Sequence, residues 1–128
     1  MTAPSRGTLV AIGFGPAAVP VLRRLEQAGL VEEIRWPPGT DSPGTEADEH
    51  PGEAASAWLA ARWTSVQGVV AVGACGLITR LVAPLLTGKN RDPAVVVIDP
   101  QGRFAVPLLG GHAAGADRLC QEIAALLD

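Results

Sequence analysis

The run AVVVID at residues 94–99 places the strongest constraint on the fold of this 128-residue chain. Its β-branched side chains favour a strand. Because consecutive strand residues point to opposite faces, an unbroken apolar run is buried on both of them. Such a strand is typical of the middle of a parallel sheet whose two faces are covered by helices. The run therefore predicts a three-layer α/β architecture.

The rest of the chain alternates strand and helix signals as this architecture requires. Apolar runs predict strands at residues 9–13, 34–36, 69–72, 95–99 and 104–109. Apolar residues at helical spacing predict helices near residues 21–28, 54–63, 77–86 and 119–127, with Pro84 kinking or shortening the third. The length suits a single α/β domain over residues 1–128, with a mostly parallel sheet and helices on both faces.

Residues 37–53 interrupt this alternation with prolines, glycines and acidic side chains. A segment of this composition buries too little apolar surface to order itself, so the sequence predicts a mobile acidic loop. The loop is either a dispensable insertion or a lid over a functional site.

Composition excludes several classes of partner. The formal net charge of −3 and the pI near 5.3 leave no basic surface broad enough for nucleic acid. No apolar run approaches the ~20 residues of a membrane span. Cys75 and Cys120 stand far apart without metal-ligand spacing, which predicts two core thiols in a reducing compartment and no metal site. We expect a cytoplasmic protein without nucleic-acid or membrane partners.

His112 is the clearest candidate for chemistry. It follows Gly110 and Gly111 at the entrance to the last helix, where small residues would let a ligand approach the ring and free backbone N–H groups together. The alternative is a tight loop that carries a solvated histidine. Asp117, in the first turn of that helix, is either a ligand contact or an acid that stabilises the helix end.

Other candidates could meet an anionic ligand. Gly76 ends a glycine turn between a strand and a helix, and Arg80 follows on that helix. Lys89 and Arg91 precede the 95–99 strand and Arg103 follows it, and arginine pairs with carboxylates through two-point contacts. Each of these cations is otherwise a solvated surface residue.

A glycine pattern after the first strand resembles a dinucleotide-binding loop. Residues 13–18 read GFGPAA, which fits GxGxxA, and Glu32 and Glu33 lie near the distance expected for a ribose-binding acid. That acid should end the second strand, whereas both glutamates precede the predicted one. Dinucleotide binding is therefore the weakest of the alternatives.

Several motifs occur together within residues 69–117. They are GLITRL at 76–81, APLL at 83–86, Lys89, DPAV at 92–95, Asp99, Gly102 and LLGGH at 108–112. In this combination they resemble the N-terminal domain of the CbiG family of cobalamin-biosynthesis proteins, the cobalt-precorrin-5A hydrolases. Members of that family open the δ-lactone on ring A of a cobalt-corrinoid intermediate and release acetaldehyde.

The resemblance implies a site and a substrate. His112 would be the catalytic residue, activating water or orienting the lactone carbonyl. The implied substrate contacts are Gly76, Arg80, Lys89, Asp99, Arg103, Gly110, Gly111 and Asp117. No cofactor of the protein's own is implied, because the cobalt is carried by the corrinoid.

Two classes of function remain open from the sequence. One is a corrinoid-lactone hydrolase or its substrate-binding half, and the other is a non-catalytic module that binds a tetrapyrrole or a partner protein. We expect the family's C-terminal domain to be absent. A separate C-terminal protein, or another corrin-pathway protein, is therefore an expected partner beside the corrinoid itself.

Overall fold

The computed structural model describes residues 7–39, 51–110 and 115–128, which form a five-stranded sheet between two layers of helices. The strands are β1 (Leu9–Gly13), β2 (Glu33–Arg35), β3 (Gly68–Val72), β4 (Ala94–Ile98) and β5 (Ala105–Leu109). The helices are α1 (Ala18–Gln27), α2 (Pro51–Arg62), α3 (Cys75–Val82) and α4 (Ala116–Leu127), and a 3₁₀ turn (Ala83–Leu85) follows α3. The predicted three-layer α/β class is confirmed.

Most of the predicted boundaries shift by one to four residues. The helix predicted from residue 54 begins at Pro51, because proline is tolerated in the first turn of a helix. The predicted shortening of the third helix is confirmed, since α3 ends at Val82 and Pro84 lies in the 3₁₀ turn. Of the predicted acidic loop, residues 40–50 lie outside the described residues.

The sheet has the strand order β2-β1-β3-β4-β5. The first four strands in this order are parallel to one another, and β5 runs antiparallel to β4. The direction of β5 follows from its short connection, because a parallel neighbour would need a long crossover. The Gly102 N–H donates to the Asp99 carbonyl at 2.7 Å, which closes a tight turn with Gly102 at φ +73°.

Alternate residues of the central strands divide the core into two halves. Val70, Val96 and Ile98 pack in the half that contains buried residues of α1 and α4. Val69, Val95 and Val97 pack in the half that contains buried residues of α2 and α3. The apolar 95–98 run is therefore covered on both faces, as its composition predicts.

The direction of β5 decides where the loops of the molecule lie. We call the edge at which β1, β3 and β4 end the carboxyl edge, and the edge at which they begin the amino edge. Ala105 pairs with Ile98 at the carboxyl edge, whereas Leu109 pairs with Val95 near the amino edge. Gly110, which follows β5, therefore lies at the amino edge.

The outer side of β5 is an edge of the sheet. The Asp99 N–H donates to the Phe104 carbonyl. In an antiparallel pair, successive residues direct their backbone N–H and C=O groups alternately toward and away from the neighbouring strand, so those of Ala105 and Pro107 face away from β4. Proline has no N–H, so the outward row of donors is interrupted at Pro107. This arrangement is typical of strands protected against pairing with another chain.

Within the described ranges, no helix is long and apolar enough to cross a membrane.

Candidate functional site

The structure divides the predicted site residues between the two edges of the sheet. Gly76, Asp99 and Arg103 lie at the carboxyl edge, in or beside the connections that follow β3 and β4. Lys89 and Gly110 lie at the amino edge, next to the start of β4 and the end of β5. A five-residue strand separates the two edges by about 13 Å of packed core at ~3.3 Å per residue. These residues therefore do not line one site.

The other four predicted site residues are placed separately. Asp117 is in the first turn of α4, which begins beside Gly110, because the Ala116 N–H donates to the Gly110 carbonyl at 3.1 Å. Arg80 is exposed in the second half of α3. Gly111 and His112 lie outside the described residues.

At the carboxyl edge the loops after β1 and β3 are neighbours. The Phe14 N–H donates to the Val72 carbonyl at 3.0 Å, and a Cβ on Gly73 would lie 3.2 Å from the Phe14 ring. Gly76 is exposed in the first turn of α3, whose N-terminus has no side-chain cap. Connections leave β1 and β3 in opposite directions here, which is where open α/β sheets commonly bind ligands.

The turn between β4 and β5, at the same edge, explains why aspartate and glycine stand at positions 99 and 102. Asp99 begins the β4–β5 turn, Pro100 occupies the second position and Gly102 the fourth, an order favoured by the backbone angles of such turns. Arg103 follows this turn with its side chain exposed. The turn alone therefore accounts for the residue types at positions 99 and 102.

The geometry is unfavourable for a dinucleotide at the GFGPAA loop. Gly13 is needed for packing, because a Cβ there would lie 2.5 Å from Leu22 Cδ1. Glu33 begins β2 instead of ending it, and Arg62 donates to both of its carboxylate oxygens at 2.8 and 2.6 Å. Hydrogen bonding to Arg62 lowers the pKa of Glu33. The carboxyl end of β2 holds Arg35 and no acid.

The prediction that both cysteines lie in the core is wrong for Cys75. Cys75 is exposed, because the first turn of α3 projects beyond the sheet and only Ile78 and Val82 of that helix are buried. Cys120 is buried as predicted, and burial, followed by the nearby Asp117 charge, raises the pKa of its thiol. The predicted apolar helical face is likewise narrower than its sequence suggests, since Leu77 and Leu86 are exposed.

At the amino edge, Asp92 organises the loop that leads into β4. Its carboxylate accepts hydrogen bonds from the Trp63 indole at 3.0 Å, from the Thr87 N–H and hydroxyl at 2.9 Å each, and from the Gly88 N–H at 3.2 Å. These donors, the Thr87 backbone N–H foremost, lower the pKa of Asp92. The loop is closed further by the Arg91 and Asp92 N–H groups, which both donate to the Gly88 carbonyl at 3.0 Å.

An open groove lies beside this loop, and we call it the amino-edge groove. Its cavity volume is about 260 Å³. The lining residues are Val66, Gln67, Lys89, Asn90, Arg91, Asp92 and Pro93. The groove lies between the segments that lead into β3 and β4. Pro93 immediately precedes β4, and Gly110 follows the neighbouring strand β5.

Sequence reasoning identified Lys89 and Arg91 but missed Gln67, Asn90 and the role of Asp92. The partners of Asp92 come from α2 and from the start of its own loop, and no local pattern joins them. The sequence did contain a signal that the predicted site residues lie at two different edges. The connection over residues 99–104 is so short that β5 can only be antiparallel to β4. Among residues 7–39, 51–110 and 115–128, no group of three or more histidine, cysteine or acidic side chains could hold a metal ion.

Comparison with known proteins places these observations in a family. The family model described as "Cobalamin synthesis G N-terminal" matches residues 57–128, which is more than half of the chain. Cobalt-precorrin-5A hydrolase from Salmonella typhimurium is 43% identical over 65 residues, or 51% of this chain. The enzyme of the same name from Priestia megaterium is 41% identical over 69 residues, or 54% of this chain. The match covers 18% of the length of each curated relative.

A solved structure shares the fold. The crystal structure of a cobalamin biosynthesis protein G homologue from Sulfolobus solfataricus superposes with a TM-score of 0.65 at 23% sequence identity. The superposition covers 94% of this chain and 34% of the Sulfolobus chain. At this identity the likeness concerns the fold.

Proposed function

Because the chain belongs to the cobalamin synthesis G N-terminal family, we propose that it is the N-terminal unit of a cobalt-precorrin-5A hydrolase in cobalamin biosynthesis. The observations that carry the proposal are the family-model match over residues 57–128 and the 43% and 41% identity, over 65 and 69 residues, to two hydrolases of that name. Residues 57–128 include the Asp92 loop, all the lining residues of the amino-edge groove, and β5 with Gly110 directly after it.

We assign the reaction to the amino edge. His112 lies two residues after Gly110 in the sequence, and of the implied substrate contacts Lys89, Gly110, Gly111 and Asp117 belong to this edge or to the segment that follows it. His112 would accept a proton from water as that water attacks the lactone carbonyl. Lys89 would attract the carboxylates that a corrinoid carries around its ring.

The chemistry then proceeds by hydrolysis in two stages. Addition of water to the carbonyl breaks the lactone C–O bond and leaves a carboxylate and an alcohol. Loss of the alcohol proton lets the adjacent C–C bond break, so that a carbonyl forms on the departing fragment, acetaldehyde, and the bonding electron pair stays with the macrocycle. No net oxidation occurs, and the cobalt ion belongs to the substrate.

The carboxyl-edge candidates require a different assignment. Gly76, Asp99 and Arg103 are separated from the amino edge by the packed core, so one corrinoid bound at the amino edge does not contact them. We propose that these residues and Arg80 contact a protein partner, such as a separate C-terminal unit. The two free cysteines support a reducing cytoplasm as the place of action.

The test is release of acetaldehyde from a cobalt-precorrin lactone by the purified chain, with the visible spectrum followed in parallel. We expect release with the parent and an about 100-fold or greater loss of rate for His112→Ala, which is the typical scale for removal of a general base. His50→Ala is the matched control, because it removes the other histidine of the chain. Equal rates for the parent and His112→Ala would contradict the assignment of His112.

A non-catalytic corrinoid-binding or partner-binding module is the second candidate. It is favoured by one observation, namely that the exposed cations Lys89 and Arg91 line an open groove that suits binding of an anionic ligand. A spectral shift without acetaldehyde release, both from the chain alone and after addition of the remaining part of a relative, would support the module and contradict the hydrolase.

A further inference from the structure

We infer that the amino-edge groove binds a carboxylate group of the substrate through Lys89 and Arg91, with Gln67 and Asn90 as neutral hydrogen-bond donors. This inference rests on the proposed function and deepens it, because it names the chemical group that this edge recognises. Three observations carry it: the charge balance of the groove, the support of its lining residues, and its position beside the end of β5.

The charge balance of the groove is positive although the chain as a whole carries −3. Lys89 and Arg91 are both exposed, and neither forms an ion pair with an acid in the part of the chain that the structure describes. Asp92 is the only acid of the lining, and its carboxylate is already surrounded by the Trp63, Thr87 and Gly88 donors. The lining therefore carries two cations against a single carboxylate, and that carboxylate already accepts from these donors.

The loop and Gln67 are supported by backbone hydrogen bonds. The turn that carries Lys89 and Arg91 is closed on the Gly88 carbonyl and anchored by Asp92. The Gln67 N–H donates to the Thr8 carbonyl at 2.8 Å, and its carbonyl accepts from the Ala94 N–H at 3.0 Å. The backbone that presents these side chains is consequently fixed before a ligand arrives, which lowers the entropic cost of binding.

Gly7 supports the Gln67 side chain from the opposite direction. A Cβ on Gly7 would lie 1.9 Å from Gln67 Cγ, so the side chain passes directly over the Gly7 backbone. Gly7 also has φ +81°, where glycine is favoured. The stem of the exposed Gln67 side chain thus lies against Gly7 at the groove wall.

The position of the groove suits a large ligand with several carboxylates. Pro93 precedes β4 and Gly110 follows β5, and adjacent strands lie ~4.8 Å apart. A ligand bound beside Gly110 could therefore place one peripheral carboxylate in the groove. Lys89 and Arg91 then supply charge-assisted hydrogen bonds, which are stronger than neutral ones.

The test compares ligands and variants on the whole 128-residue chain. The ligands are a cobalt corrinoid with free side-chain carboxylates, the same corrinoid with those groups amidated, propane-1,2,3-tricarboxylate and inorganic phosphate. Affinity is measured by titration at low salt, and backbone amide NMR shifts locate each ligand. The test variant is Lys89→Gln/Arg91→Gln, and each single substitution is measured as well.

The matched control is Arg23→Gln, since it removes one exposed positive charge on α1, away from the groove. It is compared with Arg91→Gln, which changes the net charge equally. Thermal unfolding confirms that each variant is folded, as expected for exposed side chains.

We expect the parent to bind the carboxylate corrinoid and the tricarboxylate, with shifts at residues 66–67 and 88–93. The double variant should bind them at least about tenfold more weakly, whereas its affinity for the amidated corrinoid should equal that of the parent. Arg23→Gln should stay within about twofold of the parent.

The inference is overturned if the parent binds no carboxylate ligand, if the double variant binds as the parent does, or if it loses affinity equally for the amidated corrinoid. Phosphate binding as tight as that of the tricarboxylate would also overturn it, by showing a general oxyanion site. Acetaldehyde release separates the two proposals. Release that is unaffected by the double substitution contradicts the groove alone, and carboxylate binding without release contradicts the hydrolase alone.

Discussion

The Gly13→Ala substitution tests whether the glycine at the end of β1 serves packing. An alanine Cβ there would lie 2.5 Å from Leu22 Cδ1 and 3.1 Å from the Ala18 Cβ. Carbon atoms in contact are normally ~3.5–4.0 Å apart, so the shortfall at Leu22 is about 1 Å. Leu22 is completely buried, and close-packed cores hold few voids into which a side chain can turn. Overpacking of a full core costs about 1–3 kcal/mol, and we expect a loss of about 2 kcal/mol in the free energy of unfolding.

Urea unfolding of a double-mutant cycle measures this effect. Leu22→Ala alone should cost about 2–5 kcal/mol, because it leaves a cavity. In Gly13→Ala/Leu22→Ala the added methyl occupies part of that cavity, so the double variant should lose less than the sum of the single losses. Gly76→Ala is the control, since no atom lies within 4 Å of its added Cβ, and it should gain about 0.5–1 kcal/mol from helix propensity. An unchanged stability for Gly13→Ala, or additive losses, would refute the packing argument.

Three further substitutions test other contacts. Glu33→Gln removes the exposed ion pair with Arg62 and should cost about 0.5–1 kcal/mol at pH 7 by urea unfolding. The pKa of Glu33 is lowered in the fold. The ion pair therefore stabilises the fold above the unfolded pKa of ~4.3, and this stabilisation disappears as pH falls through the folded pKa. If Glu33→Gln cost as much stability at pH 3 as at pH 7, this explanation would be contradicted. Asp92→Asn should lower the thermal midpoint at pH 7, since an amide nitrogen cannot accept the Trp63 and loop hydrogen bonds. Because the pKa of Asp92 is lowered in the fold, this difference should be complete above the unfolded value of ~3.9 and should shrink as pH falls from there through the folded value. A pH-independent difference would exclude the carboxylate charge as its cause. Pro107→Val restores an outward N–H on β5 and should increase self-association in sedimentation experiments, whereas an unchanged monomer fraction would show that this edge is protected by other means.

The helix and sheet layers of this fold can be predicted from the sequence because they depend on the local pattern of apolar residues and prolines. The apolar 95–98 run, the helical spacing of Leu119 and Ile123, and the stop at Pro84 each report on their own surroundings. The exposure of Cys75 is not readable in this way, because it depends on how far α3 projects beyond the sheet.

The site was harder to predict because its residues are far apart in the sequence, and only the order and direction of the strands bring them together. Asp92 joins Trp63 of the α2 end to a loop 29 residues later, and the antiparallel direction of β5 moves Gly110 to the edge opposite Arg103. Residue types alone suggested one cluster of cations and glycines. The sheet places these residues at two opposite edges. Because of this separation, the substrate can be assigned to the amino edge alone.

Backbone amide hydrogen exchange of the chain, with and without a cobalt-corrinoid lactone, tests the assignment of the substrate to the amino edge most directly. We expect added protection at residues 66–67, 88–93 and 109–110, and unchanged exchange at residues 73–77 and 99–104 of the carboxyl edge. Protection confined to the carboxyl edge would contradict the account.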